Sequence, residues 1–175
     1  NLTGQIFPVK ELCALARSRG ITTIVDGAHA YAQFPFRFTD FDCDFYGTSL
    51  HKWLLAPIGT GFLYVRTDRI AKHWALQPAP ASLTNIRKFE EIGTHPAANH
   101  NAIAEALVFH RGIGVERKAA RLRYLRNRWA ERLLQHPRIV LHTPLAPELS
   151  CAIGTVQIKG IKTDVVGNRL WSDHR

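Results

Sequence analysis

A chain of 175 residues that is 46% hydrophobic can bury a real core, as one domain or as one domain with part of another. No run approaches ~20 uninterrupted apolar residues and no charged-then-apolar leader opens the sequence, so the membrane-spanning and secreted classes lose support. The net charge of +9 raises nucleic acid as a partner, and its distribution along the chain has to decide.

In chain order, "PVKELCALARSRG" (residues 8–20) predicts a helix, with Pro8 suited to a first turn, Val9, Leu12, Cys13, Leu15 and Ala16 on one face, and Gly20 as a stop. "ITTIVD" (21–26) follows, a β-branched run that ends on an acid. A helix feeding a mostly apolar strand is the grammar of a parallel sheet covered on both faces. "FDCDFYGTS" (41–49) and "GTGFLYVR" (59–66) predict two further strands, "WALQPAPASLT" (74–84) a loop, and "NHNAIAEALVFHRGIG" (99–114) another helix. Residues 111–138 hold much of the basic excess. There Leu122, Leu125, Trp129 and Leu133 recur three or four apart with Arg and Lys between them, which predicts an amphipathic helix with a basic solvated face. No aromatic platform or nucleic-acid motif accompanies it, so no nucleic-acid partner is expected. "RIVLHT" (138–143) and "CAIGTVQIKG" (151–160) are strand-like pieces joined by the Pro-rich "TPLAPELS". The expected organisation is residues 1–115 as part of a large α/β domain and 116–175 as the start of a smaller α+β unit. Because the chain begins at Asn1, contains no methionine and stops soon after a helix-like segment, it reads as an internal piece of a longer protein.

The cysteines, Cys13, Cys43 and Cys151, are odd in number and widely spaced without a CxxC pair. They predict neither a disulfide framework nor a metal site, and a reducing, cytoplasmic setting. The chemistry-bearing stretch is "TSLHKW" (48–53), where Lys52 sits in apolar surroundings. Such a lysine either snorkels its amine to solvent or is held for its chemistry. Asp26 closes a strand, where ligands bind in open α/β sheets, although an Asp-Gly pair also suits a surface turn. His29 follows three residues later.

"VDGAHA" with Asp26 and His29, "DFYGTSLHKW" with Ser49, His51 and Lys52, "GTGFLYVR", and "FEEIGTHPAANHNAIAEAL" with Gly93 and Thr94 together resemble the class V aminotransferase branch of the fold-type I pyridoxal-phosphate (PLP) enzymes. That branch includes isopenicillin N epimerase-like proteins, cysteine desulfurases and selenocysteine lyases, and the resemblance is nearest the epimerase-like group. It implies a mostly parallel sheet with helices on both faces and PLP as cofactor. Lys52 would form the Schiff base and shuttle a proton, and Asp26 would pair with the pyridine nitrogen. His29 would donate to the phenolic oxygen, and Ser49 and His51 would bind the phosphate, His51 being alternatively a core histidine. Thr94 would reach the phosphate of a partner subunit, implying a homodimer with shared sites, unless "IGTHP" is an ordinary turn. The implied activity is epimerase-like or aminotransferase-like chemistry on an amino acid or amine. Desulfurase-type elimination and a non-catalytic module that keeps the fold are the alternatives. Desulfurases of this branch commonly have a small residue where Leu50 stands and a mobile-loop cysteine that neither Cys13 nor Cys151 resembles.

Overall fold

A computed structural model describes residues 2–78 and 82–174; residues 79–81 of the expected 74–84 loop lie outside the described residues. The chain divides into two compact units, Pro8–Val115 and a second made of Asn1–Phe7 with Glu116–Arg175.

In the first unit, helix α1 (Val9–Ser18) is preceded by Pro8 at its N-cap rather than inside its first turn. Its far end is closed by a paired backbone return. Gly20 N–H donates to Arg17 O at 3.0 Å and Ile21 N–H to Ala16 O at 2.9 Å, with Gly20 at φ +68°, where a side chain would be strained. Cys13 is the buried residue of α1, while Leu12 and Leu15 remain about half exposed. Strand β1 (Ile24–Asp26) is shorter than the run 21–26, and pairs in parallel with β2 (Phe45–Ser49), Asp26 opposite Gly47. Strand β3 (Gly61–Val65) pairs with β2 in the antiparallel sense, Ser49 opposite Gly61. The α/β reading therefore holds with a mixed sheet in place of the mostly parallel one expected here. Residues 50–60 are fewer than the dozen or so a parallel crossover requires, so the chain turns back beside β2.

Alternation along β2 sends its side chains to two clusters. Fully buried Tyr46 packs with Cys13, Cys43, Phe38 and Phe62, and Phe45 packs with Val65 and Ile70. A third cluster joins Leu50, Leu54 and Ala56 of the β2–β3 link to Ala32 and to Ala106, which lies on α3 (Ala97–Ile113). At the start of β2, buried Asp44 accepts from Thr23 N–H at 2.8 Å and Arg69 Nε at 2.8 Å and forms an ion pair with Arg66. Arg69 lies on the short helix α2 (Thr67–Ile70). Burial alone would raise the Asp44 carboxyl, but the Thr23 amide and both guanidiniums outweigh it and hold it below the ordinary range.

The second unit carries most of α4 (Val115–Leu134), a two-stranded antiparallel pair β4 (Ile139–Leu141) and β5 (Val156–Ile158), and α5 (Thr163–His174). The leading residues lie along it, with Ile6 N–H donating to Leu149 O at 2.7 Å. The expected single basic helix over 111–138 is replaced by a break at Gly114 (φ +83°) and a later start. Its buried face also differs. Ala119, Arg126 and Ala130 are buried, whereas Leu125, Trp129 and Leu133 are 41%, 36% and 38% exposed. The small alanines permit close approach. Arg126 then inserts its guanidinium to donate to Ser150 Oγ (2.6 Å), Pro144 O (3.2 Å) and Asn127 Oδ1 (2.7 Å), satisfying a charge that burial would otherwise penalise. Cys151, expected within a strand, lies in a bend ahead of β5 and is fully buried.

Candidate active site

Every candidate residue lies in the Pro8–Val115 unit. Because β1 and β2 run parallel and in register, their C-terminal ends lie side by side, with exposed Asp26 on one and half-buried Ser49 on the other. Asp26 Oδ1 accepts from the Ala28 N–H at 2.9 Å, which turns the chain sharply toward His29.

The link after β2 carries Lys52. It is tied at its base by Leu50 N–H to Thr60 O (3.0 Å) and Ala56 N–H to Leu50 O (3.1 Å), and from α3 by Asn99 Nδ2 to Ile58 O (3.2 Å). Leu55 takes φ +65°, a conformation that costs a non-glycine residue roughly 1–2 kcal/mol and that here returns the chain to Leu50. With Leu54 buried on one side and Leu50 on the other, half-buried Lys52 is left to face His29. Its Nζ lies 3.3 Å from His29 Nε2. Trp53 meets the edge of the same imidazole with ring centroids 6.5 Å apart. Partial desolvation and the Lys52 cation lower the His29 pKa from its ordinary value, against an opposing pull from Asp26.

The structure thus brings His29 and Lys52 together and sets Asp26 and Ser49 at the ends of adjacent strands. His51 is exposed, which removes the reading of it as a core histidine. Thr94 is also exposed, in a turn where Gly93 (φ +75°) donates its N–H to Glu91 Oε1 at 3.1 Å. Among the described residues, no hydrogen bond or ion pair joins Thr94 to Asp26, Ser49 or Lys52. An open cleft of about 940 Å³ lies between β3 and the 85–100 segment, lined by Phe62, Leu63, Arg87, Glu91, His95 and His100 among others, and none of the candidate residues lines it.

Sequence reasoning missed the support under this site. A Cβ on Gly27 would lie 1.9 Å from the Tyr46 hydroxyl, so this glycine is required by close approach, and Thr48 Oγ1 donates to Gly27 O at 3.2 Å from the same strand. The glycine in "DGA" together with an aromatic in the next strand was the available signal. Gly61 is likewise pressed against β2, its would-be Cβ 2.7 Å from Thr48 O.

The sequence matches the model described as "Aminotransferase class-V" across residues 1–173. The chain belongs to the class V aminotransferase family. It is 39% identical to isopenicillin N epimerase of Streptomyces clavuligerus, over 86% of this chain and 42% of that protein. Among solved structures, the fold matches a cysteine desulfurase of Escherichia coli with a TM-score of 0.80 at 20% identity, covering 97% of this chain and 44% of the other. It also matches a lysine-to-alanine variant with glycine covalently linked to its PLP cofactor, at TM-score 0.76 and 21% identity, over 97% and 48% of the two chains. At these identities the structural likenesses show the fold. This class V chain spans less than half the length of each of these relatives.

Proposed function

We propose that this class V chain carries the cofactor-holding part of a PLP-dependent enzyme that acts on an amino acid or related amine, in the epimerase-like or aminotransferase-like manner. The observation that carries this reading is the Lys52 amine, 3.3 Å from the His29 imidazole, on the link that follows the strand ending at Ser49 and beside the strand ending at Asp26. Its donor set fits the cofactor: an amine for covalent attachment, a carboxylate for a ring-nitrogen proton, and a hydroxyl for a phosphate.

PLP, when bound, supplies an aldehyde for the amine and a ring that accepts the electrons of a bond broken at the substrate α-carbon. Lys52, on a link pinned at three points, would hold that aldehyde and move a proton at the α-carbon. Asp26 Oδ1 is engaged by Ala28 N–H, and its carboxylate charge would keep the ring nitrogen protonated. Ser49 and His51 would donate to the phosphate. Thr94, exposed on its turn, serves the phosphate of a second copy, so the working unit is a homodimer with shared sites. The reading also takes 1–115 as large-domain and 116–175 as small-domain sequence, in a cytoplasmic protein with no nucleic-acid or membrane partner. No helix among the described residues is long and apolar enough to cross a membrane. Desulfurase-type elimination is the alternative; Cys13, Cys43 and Cys151 are all buried, so none of these three is presented as a mobile thiol carrier.

Borohydride reduction of the full-length protein loaded with PLP, followed by peptide mass mapping, tests the assignment. An adduct on Lys52 is expected; an adduct on Lys72 or Lys88, or no uptake of PLP, overturns it.

A further inference from the structure

Half-buried Lys52 meets an exposed side chain, His29, whose Nε2 stands 3.3 Å from the amine. Two cations at that separation repel, so the pair is held as one charge. A neutral imidazole with Nε2 unprotonated accepts from the Lys52 ammonium, and the other tautomer would set a donor against a donor. The ring is fixed in place on several sides. Trp53 meets its edge, Gln33 Nε2 donates to the His29 carbonyl at 2.8 Å, and the Asp26 turn precedes it. Its charged neighbours are Lys52, which disfavours the imidazolium, and Asp26, which favours it.

We propose that His29 is the proton partner of Lys52, passing protons between the half-buried amine and solvent. In the transfer a Lys52 N–H bond breaks as the His29 Nε2–H bond forms. The imidazolium gives its Nδ1 proton to water, and a further exchange with water restores the starting tautomer. An ammonium giving its proton to an imidazole does so uphill, so His29 holds the proton only in passage to water. The two nitrogens already stand in hydrogen-bond contact, so the transfer needs no diffusive encounter within a typical turnover of ~10 s⁻¹. An amine that takes a proton from an α-carbon can therefore exchange it with water within a single turnover. This inference rests on the proposed role of Lys52, and it gives His29 a task other than donating to the cofactor's phenolic oxygen.

The test has two arms, both on the full-length protein. In the first, no PLP is added and the histidine side chains are followed by ¹⁵N NMR, with His29 assigned from its loss in His29→Gln. The expected result is an unprotonated Nε2 at neutral pH and a titration midpoint that rises by about one pH unit in Lys52→Gln, the effect of removing a unit charge about 3–4 Å away in water. An Nε2–H tautomer, or a midpoint that Lys52→Gln leaves unmoved, overturns the proposal. In the second arm, PLP-loaded His29→Gln, which keeps a hydrogen-bonding amide but cannot carry the proton, should lose at least tenfold in solvent-deuterium incorporation at the substrate α-carbon. Incorporation is read per bound cofactor, and undiminished incorporation per bound cofactor also overturns the proposal. A protein that shows the Lys52-dependent shift yet takes up no PLP sinks the cofactor reading and leaves the proton pair standing.

Discussion

Gly27→Ala adds one methyl group at the most crowded point beneath the site. The new Cβ would lie 1.9 Å from Tyr46 Oη, 2.1 Å from its Cζ and 2.6 Å from Cε2. The tyrosine has nowhere to go. It is fully buried and stacked on Phe38 and Phe62 at centroid distances of 5.3 and 5.9 Å. The glycine is held equally firmly, by its N–H to Gly47 O (2.8 Å) and its carbonyl to Thr48 Oγ1 (3.2 Å). Overpacking of this kind costs about 1–3 kcal/mol, and contact with a ring rather than a flexible chain end places the expected loss near 3 kcal/mol. For a protein of this size or larger, that lowers Tm by roughly 6–12 °C. Differential scanning calorimetry of wild type, Gly27→Ala, Tyr46→Val and the double variant reads both the loss and its cause. If the clash is the cause, the alanine costs about 2 kcal/mol less in the Tyr46→Val background, a coupling of the size that touching residues show. A single-variant loss under 0.5 kcal/mol, or additive losses, would refute the close-approach argument.

Asp44→Asn should lose about 3 kcal/mol at pH 7 in urea unfolding, because it leaves Arg66 and Arg69 without their buried carboxylate. The Asp44 carboxyl is depressed on folding, so its stabilisation is present above an unfolded value of ~4 and lost as pH falls through the lower folded one; the two unfolding curves should converge below pH 4. Curves that stay parallel down to pH 3 would reject the linkage. Arg126→Lys keeps the charge but cannot reproduce the fork that reaches Ser150, Pro144 and Asn127, so a loss of about 2 kcal/mol is expected in denaturant melts, and a change within 0.5 kcal/mol would contradict it. Thr94→Ala should weaken PLP binding by one to two decades, the value of one hydrogen bond of roughly 1–3 kcal/mol, measured by cofactor titration of the full-length protein. Reassociating inactive Lys52→Ala with inactive Thr94→Trp should restore some activity if sites are shared; heterodimers that form without activity would place Thr94 in its own subunit's chemistry or outside it.

The strands around the site were legible because their residues obey local rules: β-branched Ile24 and Val25, and the aromatic run through Phe45 and Tyr46. The turn at Asp26 and the motif around Lys52 were legible as sequence motifs. Pairing sense was not, since it is set by the length of the 50–60 link rather than by composition. The 3.3 Å meeting of Lys52 with His29 was also hidden, because it depends on Leu55 adopting a backbone conformation that leucine rarely takes. Buried charge escaped the sequence reading twice. Arg126 occupies the inner face of α4 where leucines at 3-4 spacing suggested otherwise, and Lys88, on which no reading was made, is 4% exposed with its amine on the carbonyls of Ile70 and Leu83. Each cation has acceptors distant in sequence, Pro144 and Ser150 for Arg126 and Ile70 for Lys88, and a pattern of apolar spacing carries no information about those.

Strand β2 has its clasp and its chemistry at opposite ends. Asp44 precedes the strand and Ser49 closes it, and five steps of about 3.3 Å separate them by roughly 17 Å, beyond the Debye length of ~8 Å at physiological salt. Charge changes around Asp44, Arg66 and Arg69 are therefore electrostatically silent at Lys52. A lineage, or an engineer, can tune how this unit tolerates acid or heat at one end of the strand while the amine and its imidazole at the other end keep the same surroundings.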